Sequence, residues 1–259
     1  MNATVIDIHC HMIPGIDDGP GNLEAALALA KACADDGITH AVLTPHVFPG
    51  RFENRRSNIE DDFNAFAAVL RASGIPLTVS WAGEVRLTPE VLDLLVMDEV
   101  PWLGTSDGLR NMLLEMPDGQ VPLGADTFVK VLLRQGIRPV IVHPERNKAV
   151  MAKPERLRPF VDMGCLVQVT AGSLVGQFGE QARSVARQLL DDGWVHVVAS
   201  DSHNLKGRAP RMRDARALLV AEYGLPMAFA LMAGTPAKLC GLPVPPMWVR
   251  QGAGVGSAA

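Results

Sequence analysis

Two short runs repeat one chemical pattern, a metal-ligand side chain at each end of a three-residue step: His9-Cys10-His11 and Asp201-Ser202-His203. The first closes the run Ala3–Ile8, which is apolar and β-branched and predicts a buried strand. Side chains alternate along a strand, so His9 and His11 project to one side and Cys10 to the other, into the core. Two imidazoles on one side of a strand end can grip one metal ion. Asp7, two residues earlier, is expected on the same side as an acceptor that orients an imidazole.

Other candidate ligands follow later strand-like runs: His46 in Thr44-Pro45-His46, Glu84 in Ala82-Gly83-Glu84, Glu115 in Leu113-Leu114-Glu115, and His143 in Val142-His143-Pro144-Glu145-Arg146. Asp18, in Asp17-Asp18-Gly19-Pro20, lies in the loop after the first run. Of the seven histidines, five stand at C-terminal strand ends, and His40 and His196 stand at strand starts. Those two read as structural. His9, His11, Asp18, His46, Glu84, Glu115, His143, Asp201 and His203 are too many ligands for one ion, since a tetrahedral site takes about four and an octahedral site about six. Glu84 and Glu115 could bridge, giving two or three ions. Imidazole and carboxylate without thiolate suit Mn, Fe or Zn. Arg146, three residues after His143, and Arg208, in the loop after His203, have the planar fork that matches phosphate oxygens. Arg51 and Lys206 are weaker candidates of that kind.

These residues need elements that bring them to one place. Seven strand-like runs are readable: Ala3–Ile8, His40–Thr44, Leu77–Ala82, Asn111–Glu115, Arg138–Val142, Leu166–Thr170 and Val195–Ser200. Helical stretches are expected over Leu23–Asp36, Ile59–Ser73, Pro89–Met97, Ala125–Gln135, Pro154–Met163, Glu180–Asp192 and Met212–Tyr223. Gly37, Gly74, Gly136, Gly164 and Gly193 each close a helix just before a strand, where glycine takes the left-handed backbone cheaply. The alternation argues for parallel strands, and seven in one series argue for an α/β barrel of the TIM type, one unit short of eight. All candidate ligands would then share the rim where active sites sit, and strand seven would neighbour strand one. A doubly wound open sheet is the alternative, but no Gly-rich fingerprint follows the first strand. Residues 1–241 are expected to form one domain, and the Pro/Gly-rich residues 242–259 a loose tail.

Composition narrows the function. The chain has 259 residues, 48% hydrophobic and 20% charged, enough for a substantial core. A net charge of −4 without a basic tract argues against nucleic-acid binding. No apolar run is long enough to insert in a bilayer, the first residues lack a basic signal-peptide start, and the four cysteines show no disulfide-like spacing. A cytoplasmic location is expected. The cysteine route to phosphate-ester cleavage needs Arg six residues after Cys. Here Ile16, Thr39, Ala171 and Pro246 stand there.

With these residues assembled, the chain resembles the PHP (polymerase and histidinol phosphatase) family. It is most similar to the branch of bacterial manganese-dependent protein-tyrosine phosphatases of capsule and exopolysaccharide synthesis, the CpsB/YwqE type. The motifs are Asp7-x-His9-x-His11, Asp17-Asp18-Gly19-Pro20, Pro45-His46, Gly83-Glu84, Leu114-Glu115, His143-Pro144-Glu145-Arg146, Ala199–Asn204 and Gly207-Arg208, in family order. The resemblance implies a distorted (β/α)7 TIM-like barrel, a trinuclear metal centre that is manganese in that branch, and phosphotyrosine hydrolysis. It would give the ligand roles to the nine residues above and the phosphate to Arg146 and Arg208. The expected partner is a phosphotyrosine protein, the Tyr-rich tail of a bacterial tyrosine autokinase. A metal-bridging hydroxide would attack phosphorus in line, since metals lower the pKa of bound water from about 16 toward 7. A small-molecule phosphatase of the same superfamily, such as one acting on histidinol phosphate, is the competing enzyme. A metal-stabilised module that binds a kinase tail without cleaving it is the non-enzymatic alternative.

Overall fold

The computed structural model describes residues 3–249. Ten strands follow in order: β1 (Ile6–Cys10), β2 (His40–Leu43), β3 (His46–Val47), β4 (Thr78–Trp81), β5 (Glu84–Arg86), β6 (Gly104–Ser106), β7 (Leu109–Glu115), β8 (Ile137–Val142), β9 (Leu166–Thr170) and β10 (Val197–Ala199). The pairings β1–β2–β4 and β3–β5–β7–β8–β9–β10 are all parallel, and only β6 runs antiparallel, against β7.

Two of the expected strands, His40–Thr44 and Leu77–Ala82, are each continued past a two-residue break by a short further strand, β3 and β5. Thr44-Pro45 separates β2 from β3, and Ala82-Gly83 separates β4 from β5. Proline has no N–H for the ladder. At Gly83 a Cβ would lie 2.3 Å from the Pro101 ring and 2.9 Å from Val47, so only glycine fits. The pieces keep the same neighbours, so the wall still counts seven strands. It closes where Asp201 donates its backbone N–H to His9 O at 2.8 Å and His11 donates to Ser202 O at 2.9 Å. This is the seven-stranded α/β barrel expected from the alternation, distorted by the two breaks, and it excludes the open sheet.

Inside the wall, Ile6, Ile8, Val42, Ala82, Leu113, Val140, Val142, Val197 and Ala199 pack together with Ala237 and Leu239 from the C-terminal helices. The alternate strand residues face the surrounding helices. The Leu23–Asp35 helix shows why they dock. Its buried residues Ala26, Leu29, Ala30 and Cys33 form one stripe, and Asn22 caps it by accepting from Ala25 N at 2.9 Å.

Two expectations change. Helical turns that the sequence did not signal occur over Lys148–Ala152, Ala171–Leu174, Leu225–Phe229 and Thr235–Leu239. The tail is not loose from residue 242. Trp248 is buried, donates its indole N–H to Thr4 O at 2.8 Å and meets Phe229 edge-on. Residues 250–259 lie outside the described residues. Among the described residues no helix is long and apolar enough to cross a membrane.

Candidate active site

The nine candidate ligands converge on one mouth of the barrel. At the end of β1 the alternation places the first pair, modified by an irregularity in the β1–β2 register between Asp7 and Cys10. Ile8 faces the barrel interior while Cys10 faces the helices and donates to Val42 O, so the bulge re-aims the strand end. His9 and His11 then meet Nε2 to Nε2 at 3.2 Å. The bulge also corrects the reading of Asp7. It accepts from the backbone N–H groups of His9 and Ser200 and from the Ser200 hydroxyl, and bonds no imidazole.

Two residues not assigned from sequence orient these rings instead. His9 Nδ1 donates to Gln168 Oε1 at 2.8 Å, and His11 Nδ1 donates to Asp17 Oδ2 at 2.7 Å. With protons on both Nδ1 atoms, both Nε2 lone pairs point into the same space. Two lone pairs 3.2 Å apart repel unless a cation or a proton lies between them. Glu84 Oε2 lies 3.4 Å from each Nε2, and Asp201 Oδ1 lies 3.3 and 3.4 Å away. The sign was present in sequence: Gln168 is a polar residue inside the apolar strand Leu166–Thr170, on the strand next to the last.

Three overlapping groups bring their ligand atoms within 4.8 Å: His11, Asp18, His46 and His203; His9, His11 and Glu84; His46, Glu84 and Glu115. His46 Nδ1 is 2.7 Å from Glu84 Oε2, and Asp18 Oδ1 is 3.2 Å from both His46 Nε2 and His203 Nε2. His143 Nε2 reaches Glu84 Oε1 at 2.7 Å. Buried His46 Nδ1, Glu84 Oε2, Asp201 Oδ1 and His203 Nε2 make no hydrogen bond of good geometry, whereas Glu115 Oε2 pairs with the Arg86 guanidinium at 2.9 Å. Unpaired buried polar atoms aimed at one another fit coordination to cations. His40 and His196, by contrast, bond Ser80 Oγ and the Val167 N–H at the other rim.

Electrostatics divide the imidazoles: despite burial, the Glu84 charge pulls His9 up and His46 up to about 10, and Asp17 pulls His11 up, so protons occupy these rings in the metal-free cluster. Burial, reinforced by the Arg146 charge, pushes His143 down to about 4, so its imidazole is a neutral donor of a lone pair. Burial and His11 likewise push His203 down to about 4. Burial and the neighbouring Glu84 charge push Glu115 up to about 7, the mark of carboxylates crowded around missing positive charge.

Arg146 and Arg208 meet on one atom, Asp201 Oδ2, with Arg208 at 2.9 Å. They hold Asp201 well below the usual carboxylate range despite its burial. The Nε atoms of both arginines are buried without a partner. Both line a cavity of about 450 Å³ over the cluster, together with Asp18, His46, Arg51, Arg86, Glu115 and His143. Lys206, exposed in its loop, does not line it. The cavity thus offers cation ligands at its floor and unsaturated guanidinium donors beside them, a combination suited to a phosphate ester.

A family model described as capsular polysaccharide synthesis, CpsB/CapC, matches residues 5–240. The tyrosine-protein phosphatase YwqE of Bacillus subtilis is 33% identical over 227 residues, 88% of each chain. The tyrosine-protein phosphatase CpsB of Streptococcus pneumoniae is 32% identical over 240 residues, 91% of this chain and 98% of that one. A crystal structure from work on YwqE and CpsB, called unique metal-dependent tyrosine phosphatases, superposes with a TM-score of 0.84 at 31% identity, covering 95% of this chain and all of the other. An organophosphorus hydrolase of Deinococcus radiodurans, 17% identical with a TM-score of 0.58 over 92% of each chain, shares the fold.

Proposed function

The chain belongs to the CpsB/CapC family, and on that premise we propose that it is a metal-dependent protein-tyrosine phosphatase acting in capsule or exopolysaccharide synthesis. The observation that carries the reading is the meeting of nine imidazole and carboxylate side chains, of which Asp18, His46, Glu115 and His143 line one cavity together with two guanidinium groups whose Nε atoms are unpaired. His9, His11, Asp18, His46, Glu84, Glu115, His143, Asp201 and His203 hold the metals, manganese by preference over iron or zinc, two or three ions in all. Bound there, the ions supply an activated water and neutralise phosphoryl charge.

The rest falls to this chain's own groups. Gln168 and Asp17 fix the tautomers of His9 and His11, so lone pairs and not protons face the ions. Arg146 and Arg208 leave part of their hold on Asp201 and take the phosphoryl oxygens, where charge redistributes in the transition state. A thiolate nucleophile has no place here. Cys10 and Cys33 are buried, and burial pushes both thiols well up from their usual range. The substrate is a phosphotyrosine protein, the tail of a bacterial tyrosine autokinase. The action is cytoplasmic, and four free cysteines suit that reducing compartment.

The test is turnover of a phosphotyrosine peptide with added Mn²⁺, set against histidinol phosphate. Hydrolysis of the peptide that a chelator abolishes supports the reading. Preference for histidinol phosphate moves the enzyme to the small-molecule branch, and binding without turnover makes it a module.

A further inference from the structure

The chain has eight phenylalanines. Phe63, Phe66, Phe128, Phe160 and Phe229 belong to the core or pack against it. The other three, Phe48, Phe52 and Phe178, line the active-site cavity. In a chain with only 5% aromatic residues, the rings divide between the core and this one cavity.

Each wall is held by its own scaffold. Phe48 and Phe52 pair across a tight turn, N–H to O at 3.0 and 2.8 Å. Gly50 supplies the left-handed residue of that turn, and Asn54 ties it to the barrel by donating to His46 O at 2.8 Å and Ile16 O at 2.9 Å. The Phe52 ring stacks on His46, 5.5 Å between centroids and 9° between planes. On the side of β8 and β9, Phe178 lies beneath the Arg146 guanidinium, 4.8 Å from its centre. Its loop is pinned by Gln177, whose N–H donates to Gly172 O at 2.8 Å and whose side-chain amide donates to Gly207 O at 3.0 Å. A Cβ at Gly172 would come within 2.1 Å of Gln177 and 3.0 Å of Phe178, so the close approach needs glycine there. Phe178 is therefore positioned together with Arg146 and Arg208, while Phe52 is positioned with His46. The guanidinium groups of Arg51 and Arg86, each 5.0 Å from the Phe52 and Phe48 rings, hold those rings in turn.

We propose that Phe48, Phe52 and Phe178 form a slot that grips the phenyl ring of phosphotyrosine, so that the cavity selects an aryl over an alkyl phosphate. The proposal rests on the phosphatase reading and adds its specificity element. In this pose a phosphoryl group on Arg146 and Arg208 would leave its ester oxygen facing the cavity that Phe48, Phe52 and Phe178 line. A phenyl ring there exchanges water for ring contacts, which favour aromatic partners beyond the area buried. A phosphoserine side chain has no ring to fill the slot and brings its peptide backbone down against the walls.

Calorimetry on the full chain, supplied with Mn²⁺, tests this with two non-hydrolysable probes, phenylphosphonate and methylphosphonate. The unmodified protein should bind the phenyl probe about tenfold more tightly, and Phe52→Ala and Phe178→Ala should each reduce that ratio to about threefold. Phe52→Leu and Phe178→Leu, which keep apolar volume without the ring, are the second pair should an alanine variant melt below the assay temperature. They should fall between. Equal binding of the two probes, or a ratio that no variant changes, overturns the slot and leaves the phosphatase standing. Failure to bind either probe, with no turnover of a phosphotyrosine peptide, overturns the phosphatase reading itself.

Discussion

Gln168→Leu separates metal orientation from metal ligation. Gln168 is fully buried, and its side-chain oxygen is turned to His9 Nδ1, on the far side of the ring from Nε2. Its Oε1 accepts from His9 Nδ1 at 2.8 Å, and its backbone oxygen accepts from His143 N at 2.8 Å, a bond that leucine keeps. Without the side-chain acceptor, His9 has two choices. It can keep its proton on Nδ1 and bury an unsatisfied donor, at a cost of about 1–3 kcal/mol. Or it can move the proton to Nε2, pointing it at His11 Nε2, 3.2 Å away, and at the space shared with Glu84 and Asp201. Both outcomes weaken cation binding. Loss of such an orienting partner costs about 10- to 100-fold in metal affinity, or about 1.4–2.8 kcal/mol. Competition against a fluorescent chelator reads this directly, with circular dichroism to establish that the barrel is intact. Gln168→Glu keeps an acceptor and should retain affinity. A folded Gln168→Leu protein with unchanged metal affinity would refute the claim that tautomer control by Gln168 shapes the site.

The other predictions follow from the same contacts. Arg208→Ala should keep its metal by elemental analysis and lose about 100- to 1,000-fold in kcat on a phosphotyrosine peptide, because it removes a donor to the developing charge while Arg146 still holds Asp201. Glu115→Ala should lower bound metal itself, measured the same way. Since the ligands run from residue 9 to 203, only the folded chain presents them together. At 100 times the dissociation constant, bound metal then stabilises by about 2.7 kcal/mol, so chelation should lower the Tm by about 5–11 °C. An unchanged melt would count against high-affinity sites. Trp248→Ala should destabilise by about 3 kcal/mol, since the ring is buried against Phe229 at the far end from the cavity. Its kcat at moderate temperature should hold. Iodoacetamide should leave activity intact in the native protein and label Cys10, Cys33 and Cys165 freely only after unfolding, because burial raises all three thiols.

The strands and their closing glycines were legible because both are local. Five Gly-containing helix ends recur at the predicted places, and all five glycines take positive φ. The rim was legible through the histidines, which sort between the two ends of the barrel as side-chain chemistry requires. What escaped sequence reasoning depends on contacts between distant residues. The Ala82-Gly83 break becomes necessary only because Pro101 lies against it. Asp7 was placed by counting two residues back along a regular strand, and the register shift before Cys10 removes that regularity. Asp17 and Gln168 reach histidines 6 and 159 residues away, so spacing along the chain gave no hint of the second. The Trp248 anchor lay in a stretch whose prolines outweighed its one large apolar ring.

The rim also shows where strand geometry stops explaining a barrel active site. The alternation that pairs His9 with His11 does not reach Asp201 and His203, because β10 ends at Ala199. That second pair comes together by another route: Asp201 takes φ 49°, and its backbone oxygen accepts from His203 Nδ1 at 3.0 Å. His143 likewise takes φ 36° immediately after β8, and this turns its ring back to Glu84. Left-handed backbone at a residue with a side chain costs on the order of 1–3 kcal/mol, and glycine would remove the cost together with the ligand. Two such residues, Asp201 among them, beside the carboxylates of Asp18, Glu84 and Glu115 make a rim that is unfavourable by itself and favourable once cations bind. The strain and the charge crowding thus point to the same cause. Strand ends directed straight outward would leave His143 and Asp201 apart from the rest, and a backbone turned against its own preference at these two residues draws them to the ligands that strand geometry already gathers.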